Sequence, residues 1–188
     1  IAPPKLEDHY TLEDALVAGT MLITLLRNAD RVKIGCMAQL VNVIATIMTK
    51  TGGGAWRQTI YYPLLHASLY GRGTVLRAAI SSPTYTTQYE RRLSWWNNEM
   101  GMQKTIDREV ELLEAIAVIS DDQRELTIFA VNKDQQHALD FACELRGFGD
   151  YKVTEHLVLE HHDLKATNTL DNPDNVKPHT DGEASISG

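Results

Sequence analysis

The sequence is short of cysteine, of basic side chains and of long apolar runs, and each shortage excludes a class of protein. Two cysteines among 188 residues are too few for the disulfide framework of a small secreted domain. Cys36 and Cys143 both lie in apolar runs, which predicts buried free thiols. The 18 Lys and Arg against 25 Asp and Glu give a net charge of −7, which argues against nucleic acid and anionic membrane as partners. The longest uncharged run, Ile34 to Thr49, is too short and too polar to span a bilayer.

What is present is the composition of a globular protein, with 43% hydrophobic and 23% charged residues. The chain opens at Ile1 rather than at a methionine, and we expect it to be cut from a longer protein. Residues 1–73 carry slightly more basic than acidic side chains, whereas residues 74–188 carry nearly twice as many acidic as basic ones. The hydrophobic period changes at the same place, so a domain boundary is predicted near Gly71-Arg72-Gly73.

Residues 1–73 have the pattern of an α/β unit. Thr11 has the properties of an N-cap before an amphipathic helix predicted over 12–28. The run from Arg31 to Ala38 has the length and near-continuous apolarity of a buried parallel strand. A second helix is predicted over 56–70. Helix, buried strand, long loop and helix is the order found in (β/α) proteins, whose functional loops follow the strands.

The second helix and its end are marked by two residues. Pro63 predicts a kink within the helix, since proline removes a backbone hydrogen bond. Gly71 predicts its C-cap.

Residues 74–188 have the pattern of an antiparallel β-sandwich, because short strand-like runs alternate with polar turns. Residues 88–109, which include Trp95-Trp96, are interpreted as a long loop or insertion. The tail after residue 168 is expected to be poorly ordered. The predicted strands are Thr74 to Ile80, Leu112 to Ile119, Glu125 to Val131, His137 to Leu145 and Tyr151 to Leu159.

Gln39 is the most informative polar residue. It follows the predicted buried strand, at the end where a barrel places its active-site side chains. An amide offers two donors and an acceptor, which suits a sugar hydroxyl or a carboxylate. A buried amide with a structural role fits the same position, so both interpretations stay open at this point. Asn42 is interpreted as a residue that orders the loop.

The remaining candidates favour structural roles. His156 and His162 would lie about 20 Å apart on a strand at ~3.3 Å per residue, so they cannot hold one metal ion, and no other pair shows zinc spacing. The acidic pairs Glu7-Asp8 and Glu13-Asp14 are expected to be charges near a helix start. Gly52-Gly53-Gly54 lacks the partners of a phosphate-binding loop and predicts a flexible loop. No complete active site, no metal site and no cofactor is expected.

Several runs of the sequence together closely resemble the α-L-arabinofuranosidases of glycoside hydrolase family 51. The resemblance extends from Ala2 to about His179 and keeps the family's order, which makes it more specific than any single motif. The matching runs are Tyr10–Leu16, Asn28–Ile34, Ala38–Ile44, Ala55–Ile60, His66–Ser68, Leu126–Asn132 and Glu155–His161.

The resemblance implies α/β followed by all-β structure: the final segments of a (β/α)8 TIM barrel and then a jelly-roll-like antiparallel β-sandwich. Residues 1–73 would hold the seventh helix, the eighth strand and the eighth helix of the barrel, and residues 74–188 the sandwich. Both catalytic glutamates of the family would lie upstream of Ile1, so no catalytic residue is assigned in this chain. Gln39 matches a glutamine that hydrogen-bonds the arabinofuranosyl unit, and Leu6 matches a leucine on the loop beside the same pocket.

The function implied is that of the C-terminal portion of a cytoplasmic, retaining exo-α-L-arabinofuranosidase acting on arabinoxylan or arabinan oligosaccharides. Its expected partners are the N-terminal barrel portion of the same protein, arabinose-containing oligosaccharides, and further copies in a homo-hexamer. An alternative from another class is a non-catalytic carbohydrate-binding or assembly module. In that alternative Trp95 and Trp96 would stack on sugar rings; packing on the sandwich or at an interface is the simpler role for them.

Overall fold

A computed structural model describes residues 7–92, 103–149 and 151–186 of the protein. Within these ranges the chain forms two helices and seven short strands. The helices are α1 (Leu12–Arg27) and α2 (Tyr61–Tyr70), and neither of them is long and apolar enough to cross a membrane. The strands are β1 (Ile47–Thr49), β2 (Ala55–Arg57), β3 (Thr74–Leu76), β4 (Thr84–Arg92), β5 (Gln103–Glu111), β6 (Leu113–Ile119) and β7 (Leu126–Asn132).

Helix α1 begins where the sequence predicts, because Thr11 and Asp14 form a reciprocal cap. The Asp14 backbone N–H donates to the Thr11 hydroxyl (3.3 Å), and the Thr11 backbone N–H donates to the Asp14 carboxylate (2.8 Å). These bonds satisfy donors that a helix start leaves without partners. The prediction of an N-cap at Thr11 is therefore confirmed.

Replacing Thr11 with Ala is expected to lower the free energy of unfolding by about 1 kcal/mol, because the cap hydroxyl is lost. Thr20→Ala is the matched control, since the Thr20 hydroxyl donates within the exposed helix interior to the Val17 carbonyl (2.7 Å). Urea denaturation of both variants measures the difference. Equal losses in the two variants would contradict the assigned role of the cap.

The strand predicted over residues 31–38 is not formed. These residues have no strand hydrogen bonding, and Ile34 is 82% exposed. A parallel strand buried on both faces needs a neighbouring strand at each edge, and the described strands all pair with one another elsewhere. Cys36 and Cys143 are both exposed free thiols, so the prediction that they are buried is wrong.

Helix α2 begins at Tyr61, later than the predicted start at residue 56. The residues before it pair with β1 instead, with Trp56 opposite Met48. Pro63 consequently lies in the first turn of the helix, where its missing N–H breaks no helical hydrogen bond, and the predicted kink is wrong. Gly71 caps the C-terminus as predicted, donating its N–H to the Ala67 carbonyl (3.0 Å).

The described strands form three separate antiparallel sheets. In the largest, β6 lies between β3 and β7, with Val75 opposite Val118 and Ile116 opposite Phe129. The other two sheets are the pairs β1–β2 and β4–β5. Helix α1 packs against β6 and β7 and approaches closely at Gly19, where an added Cβ would lie 3.3 Å from the Val131 side chain.

The regular structure described after residue 73 consists of strands without helices, as predicted, but fewer of the predicted strands form. Three predicted strands correspond to β3, β6 and β7. Residues 137–145 form no strand, and residues 151–159 contribute a single bridge between Val158 and His179. Part of the predicted insertion at 88–109 belongs to the β4–β5 hairpin. Trp95 and Trp96 lie outside the described residues.

The segment after residue 168 is packed, although it was predicted to be poorly ordered. Val176 is fully buried, and Asn168 is 2% exposed. The Asn168 amide donates to the carbonyls of Val176 (2.8 Å) and Arg57 (3.1 Å), and it accepts from the Val176 N–H (2.7 Å). Val176 completes a small core with Leu12 and Ala166. The side-chain hydrogen bonds of Asn168 thus hold this segment in place, although the described residues after 168 form no helix or strand.

Candidate functional site

Gln39 lies in the loop of residues 38–46, which precedes β1, rather than at the end of a strand. The peptide bond that joins it to Ala38 is cis. The Gln39 side chain is exposed, so its amide is free to offer donors and an acceptor to a ligand. The next residue is anchored: the Leu40 carbonyl accepts from the Ile47 N–H (3.2 Å) and the Thr46 hydroxyl (3.4 Å).

Asn42 orders this loop, as the sequence predicts. Its φ of 61° lies in the left-handed region that asparagine tolerates. The Asn42 side chain accepts from the Thr49 N–H (2.8 Å) and donates to the Thr49 hydroxyl (2.9 Å). These bonds close the loop onto β1.

Gln58 lies beneath the loop and was not singled out from the sequence. It is 1% exposed, directly after β2. Its amide NH2 donates to the carbonyls of Ala45 (2.8 Å) and Asp8 (3.0 Å), and its oxygen accepts from the Tyr10 N–H (3.0 Å). The sequence signal that could have found it is the polar pair Gln58-Thr59 directly before the apolar start of α2.

Leu6 lies outside the described residues, and the described chain begins beside it at Glu7. Residues 8–11 run along the Gln39 loop: the Asp8 N–H donates to the Val43 carbonyl (2.8 Å), and the Tyr10 hydroxyl donates to the Ile44 carbonyl (3.2 Å). Residues 8–11 and the Gln39 loop are therefore neighbours in the fold.

The other candidates from the sequence have structural roles. Asp14 caps α1, and Glu13 forms an ion pair with Lys165, which raises the pKa of the lysine. Gly53 has a φ of 121° and donates its N–H to the Lys50 carbonyl (3.0 Å) in the turn between β1 and β2. The three-glycine run is thus the turn of a hairpin.

The histidines near the end of the chain do not converge. The His161 and His162 rings lie 4.2 Å apart between centroids, and His161 Nδ1 accepts from the Asp163 N–H (3.1 Å). His156 lines the cleft described next. In the portions of the chain that the structure describes, no three His, Cys, Asp or Glu side chains are grouped to hold a metal ion.

A cleft of about 630 Å³ lies between the two helices, β7 and residues 151–159. Its lining combines apolar side chains of the helices and β7 with polar and charged ones, among them Arg124 and Lys152. His66 and Tyr70 of α2 line the same cleft as Glu155. Glu155 raises the pKa of the Tyr70 phenol by accepting its hydrogen bond. Gln39 does not line this cleft, so cleft and loop are distinct features.

Burial lowers the pKa of His66 below its ordinary value of 6.5, against a smaller opposing effect of the Glu155 carboxylate. The folded state therefore binds fewer protons than the unfolded state between the two pKa values. This contribution to stability is complete above pH 6.5 and decreases as the pH falls toward the folded-state pKa.

We expect the thermal unfolding midpoint to fall less between pH 7 and pH 5 in His66→Gln than in the wild type, because the variant loses this titration. Leu69→Gln on the same helix is the control, since Leu69 is 55% exposed and carries no titratable group, and its pH profile should follow the wild type. Differential scanning calorimetry across this range makes the comparison. Parallel profiles for wild type and His66→Gln would rule out the contribution.

Comparisons with known proteins bear on the whole chain. Residues 2–188 match the family model described as "Alpha-L-arabinofuranosidase C-terminal domain". The intracellular exo-alpha-(1->5)-L-arabinofuranosidase of Halalkalibacterium halodurans is 50% identical over 99% of this chain and 33% of its own length. The intracellular exo-alpha-(1->5)-L-arabinofuranosidase 1 of Bacillus subtilis is 49% identical over 99% of this chain and 33% of its own length.

Solved structures agree with the sequence relatives. A family 51 alpha-L-arabinofuranosidase from Bifidobacterium longum superposes with a TM-score of 0.70 at 36% identity, covering 95% of this chain and 32% of that protein. The thermostable GH51 alpha-L-arabinofuranosidase from Thermotoga petrophila gives a TM-score of 0.77 at 26% identity, covering 100% of this chain and 37% of that protein. The chain thus spans about a third of the length of the relatives it matches. It belongs to the α-L-arabinofuranosidase C-terminal domain family and corresponds to the C-terminal part of glycoside hydrolase family 51 enzymes.

Proposed function

We propose that this chain is the C-terminal part of a retaining exo-α-L-arabinofuranosidase, and that the whole protein removes terminal non-reducing α-L-arabinofuranosyl residues from arabinoxylan or arabinan oligosaccharides. The observation that carries the proposal is 50% identity, over 99% of this chain, to an enzyme named as an intracellular exo-alpha-(1->5)-L-arabinofuranosidase. The names of the relatives, which call them intracellular, support a cytoplasmic location.

Exposed apolar side chains support the finer assignment of residues 1–73 to the last segments of a (β/α)8 barrel and of residues 74–188 to a β-sandwich. On α1, Val17, Met21 and Leu25 are 54%, 63% and 42% exposed. Ile34, in the run predicted as the eighth barrel strand, is 82% exposed. Apolar patches of this kind mark contact surfaces. The missing barrel segments would cover them and would give residues 31–38 the neighbouring strands that a parallel strand needs.

The chemistry in this proposal belongs to two upstream glutamates, about 5–5.5 Å apart as in retaining glycosidases, one acting as acid/base and the other as nucleophile. Gln39 would hold the hydroxyls of the arabinofuranosyl ring through its exposed amide, and Leu6 would pack beside the same pocket. Holding the ring in place raises the effective concentration of the reacting groups without bond chemistry. No cofactor takes part.

The partners are proposed on the same basis. The upstream barrel completes the fold, and copies of the protein associate as a homo-hexamer. The alternative of a non-catalytic carbohydrate-binding or assembly module stays a prediction, since Trp95 and Trp96 lie outside the described residues.

The experiment compares the 188-residue chain alone with the whole protein on p-nitrophenyl α-L-arabinofuranoside. The whole protein should release p-nitrophenol, and the isolated chain should release none, because the acid/base and the nucleophile are absent from it. Activity of the isolated chain, or inactivity of the whole protein on this substrate and on arabino-oligosaccharides, would contradict the proposal.

A further inference from the structure

The loop that carries Gln39 and residues 8–10 meet over one buried side chain. The loop after Gln39 and the segment after Leu6 are separated by more than thirty residues in sequence. Gln58 contacts both: it donates to Ala45 on the first and to Asp8 on the second. We infer that Gln58 is a positioning residue, which fixes the Gln39 loop against residues 8–10 and so holds the Gln39 amide at the sugar. This inference rests on the proposed function.

Both ends of the Gln58 amide are hydrogen-bonded. The amide NH2 makes two bonds, at 2.8 Å and 3.0 Å, and the oxygen accepts a third from the Tyr10 N–H at 3.0 Å. The side chain is 1% exposed, so water does not compete for these groups. A buried amide with three partners is costly to leave unsatisfied and therefore fixes the distance between the groups it joins.

The connection continues from Gln58 to the residue beside Gln39. The Gln58 backbone N–H donates to the Thr46 carbonyl (2.8 Å), and Thr46 is fully buried. The Thr46 hydroxyl and the Ile47 N–H both donate to the Leu40 carbonyl. Leu40 directly follows Gln39, so a shift at Gln58 is passed through two hydrogen-bonded residues to the backbone that carries the Gln39 amide.

Further bonds between the same two segments support the assignment. The Asp8 N–H donates to the Val43 carbonyl (2.8 Å), and the Tyr10 hydroxyl donates to the Ile44 carbonyl (3.2 Å). Beside Gln58, the Thr59 hydroxyl donates to the Thr11 carbonyl (2.6 Å) and so binds the residue before α1 to the residues that follow β2. Gln58 is the member of this network with the most bonds from one side chain.

Asn168 provides a matched control. It is also a buried amide, 2% exposed, whose side chain makes three hydrogen bonds. Its partners are Arg57 and Val176, so it joins β2 to the C-terminal segment and makes no bond to the Gln39 loop. Gln58→Met and Asn168→Leu remove comparable sets of bonds with side chains of similar size. Only the first is expected to misplace Gln39.

The test measures kcat and KM of the whole protein on p-nitrophenyl α-L-arabinofuranoside, well below the unfolding temperature of each variant. Gln58→Met should lower kcat/KM about tenfold, since small misplacements of a positioning group are costly. Asn168→Leu should change it less than about twofold, although both variants should unfold at lower temperature. The double variant Gln39→Ala/Gln58→Met should be no slower than Gln39→Ala alone, because Gln58 acts through Gln39.

The outcomes separate the two proposals. A wild-type protein that does not hydrolyse arabinofuranosides refutes the proposed function. An active wild type in which Gln58→Met behaves like Asn168→Leu, or in which the losses of the double variant simply add, overturns the positioning role alone. If Gln58→Met does not fold, Tyr10→Phe replaces it: losing the bond to Ile44 should lower kcat/KM about threefold, again with no further loss when Gln39→Ala is present. Wild-type kinetics in Tyr10→Phe would likewise overturn the inference.

Discussion

Gln39→Ala is expected to lower kcat/KM of the whole protein on arabinofuranosides about 100-fold, while its unfolding temperature stays close to that of the wild type. The two effects separate because of where the side chain lies. Gln39 is exposed on its loop, so removing it leaves no cavity and no buried group without a partner. A group that orients the reacting sugar, by contrast, contributes to rate through geometry, and its loss has effects of this size.

The measurement is steady-state kinetics paired with thermal unfolding of the same preparations. Gln135→Ala is the control, since Gln135 is also an exposed glutamine and lies far along the chain from the loop. Its kinetics should match the wild type. A Gln39→Ala enzyme with wild-type kcat/KM would remove Gln39 from the sugar-binding site, and a large loss of stability would point to a structural amide instead.

Gly73→Ala is expected to lower the free energy of unfolding by about 4 kcal/mol, a loss found for few single substitutions. Gly73 has a φ of 123° and comes directly before β3. A Cβ added there would lie 2.1 Å from the carbonyl oxygen of Ile119, the residue that pairs with Thr74. Because the clash is with backbone on the neighbouring strand, relief requires the β3–β6 pairing to shift.

Gly53→Ala separates the conformational penalty from the clash. Gly53 has nearly the same φ, 121°, but a Cβ added there meets nothing within 4 Å. It should therefore cost only the backbone strain, about 1–3 kcal/mol. Urea denaturation of both variants measures the two free energies. Equal losses of the free energy of unfolding in the two variants would show that the close approach to Ile119 adds no cost to Gly73→Ala.

The sequence predicts the structure correctly where a feature depends on residues that are close in sequence. Thr11 and Asp14 are three residues apart, and their reciprocal bonds form in the first turn of α1 as the pattern indicates. Gly71 ends α2 for the same reason: its N–H reaches back four residues to Ala67. Caps depend on neighbours in sequence, and a single sequence contains those neighbours.

The errors arose where the outcome depends on distant partners. The apolar pattern of residues 31–38 is that of a buried strand, but a strand also needs edges to pair with. The sequence predicts Trp56 in a helix, whereas pairing with Met48 places it in β2. The polar composition after residue 168 indicated disorder, but Asn168 there makes three buried hydrogen bonds. Composition does not show where a side chain will find its partners.

The candidate site shows the same difference between residues with partners close in sequence and residues with distant partners. The assignment of Gln39 stays a prediction, which rests on its position in a matching run and on its amide chemistry. Gln58 lies in another matching run, but the sequence does not single it out, because its partners at residues 8, 10 and 45 lie 50, 48 and 13 residues away. A buried polar residue becomes significant only when the backbone it satisfies is known.

We propose that this chain supplies a sugar-holding amide and scaffold while the catalytic carboxylates belong to the upstream part of the protein. Covalent labelling of the whole protein with a 2-deoxy-2-fluoro-α-L-arabinofuranosyl inactivator traps the glycosyl-enzyme of a retaining enzyme, and peptide mapping by mass spectrometry then locates the label. We expect the label on a glutamate upstream of Ile1. A label on any glutamate between Ile1 and Gly188, such as Glu155 in the cleft, would contradict it.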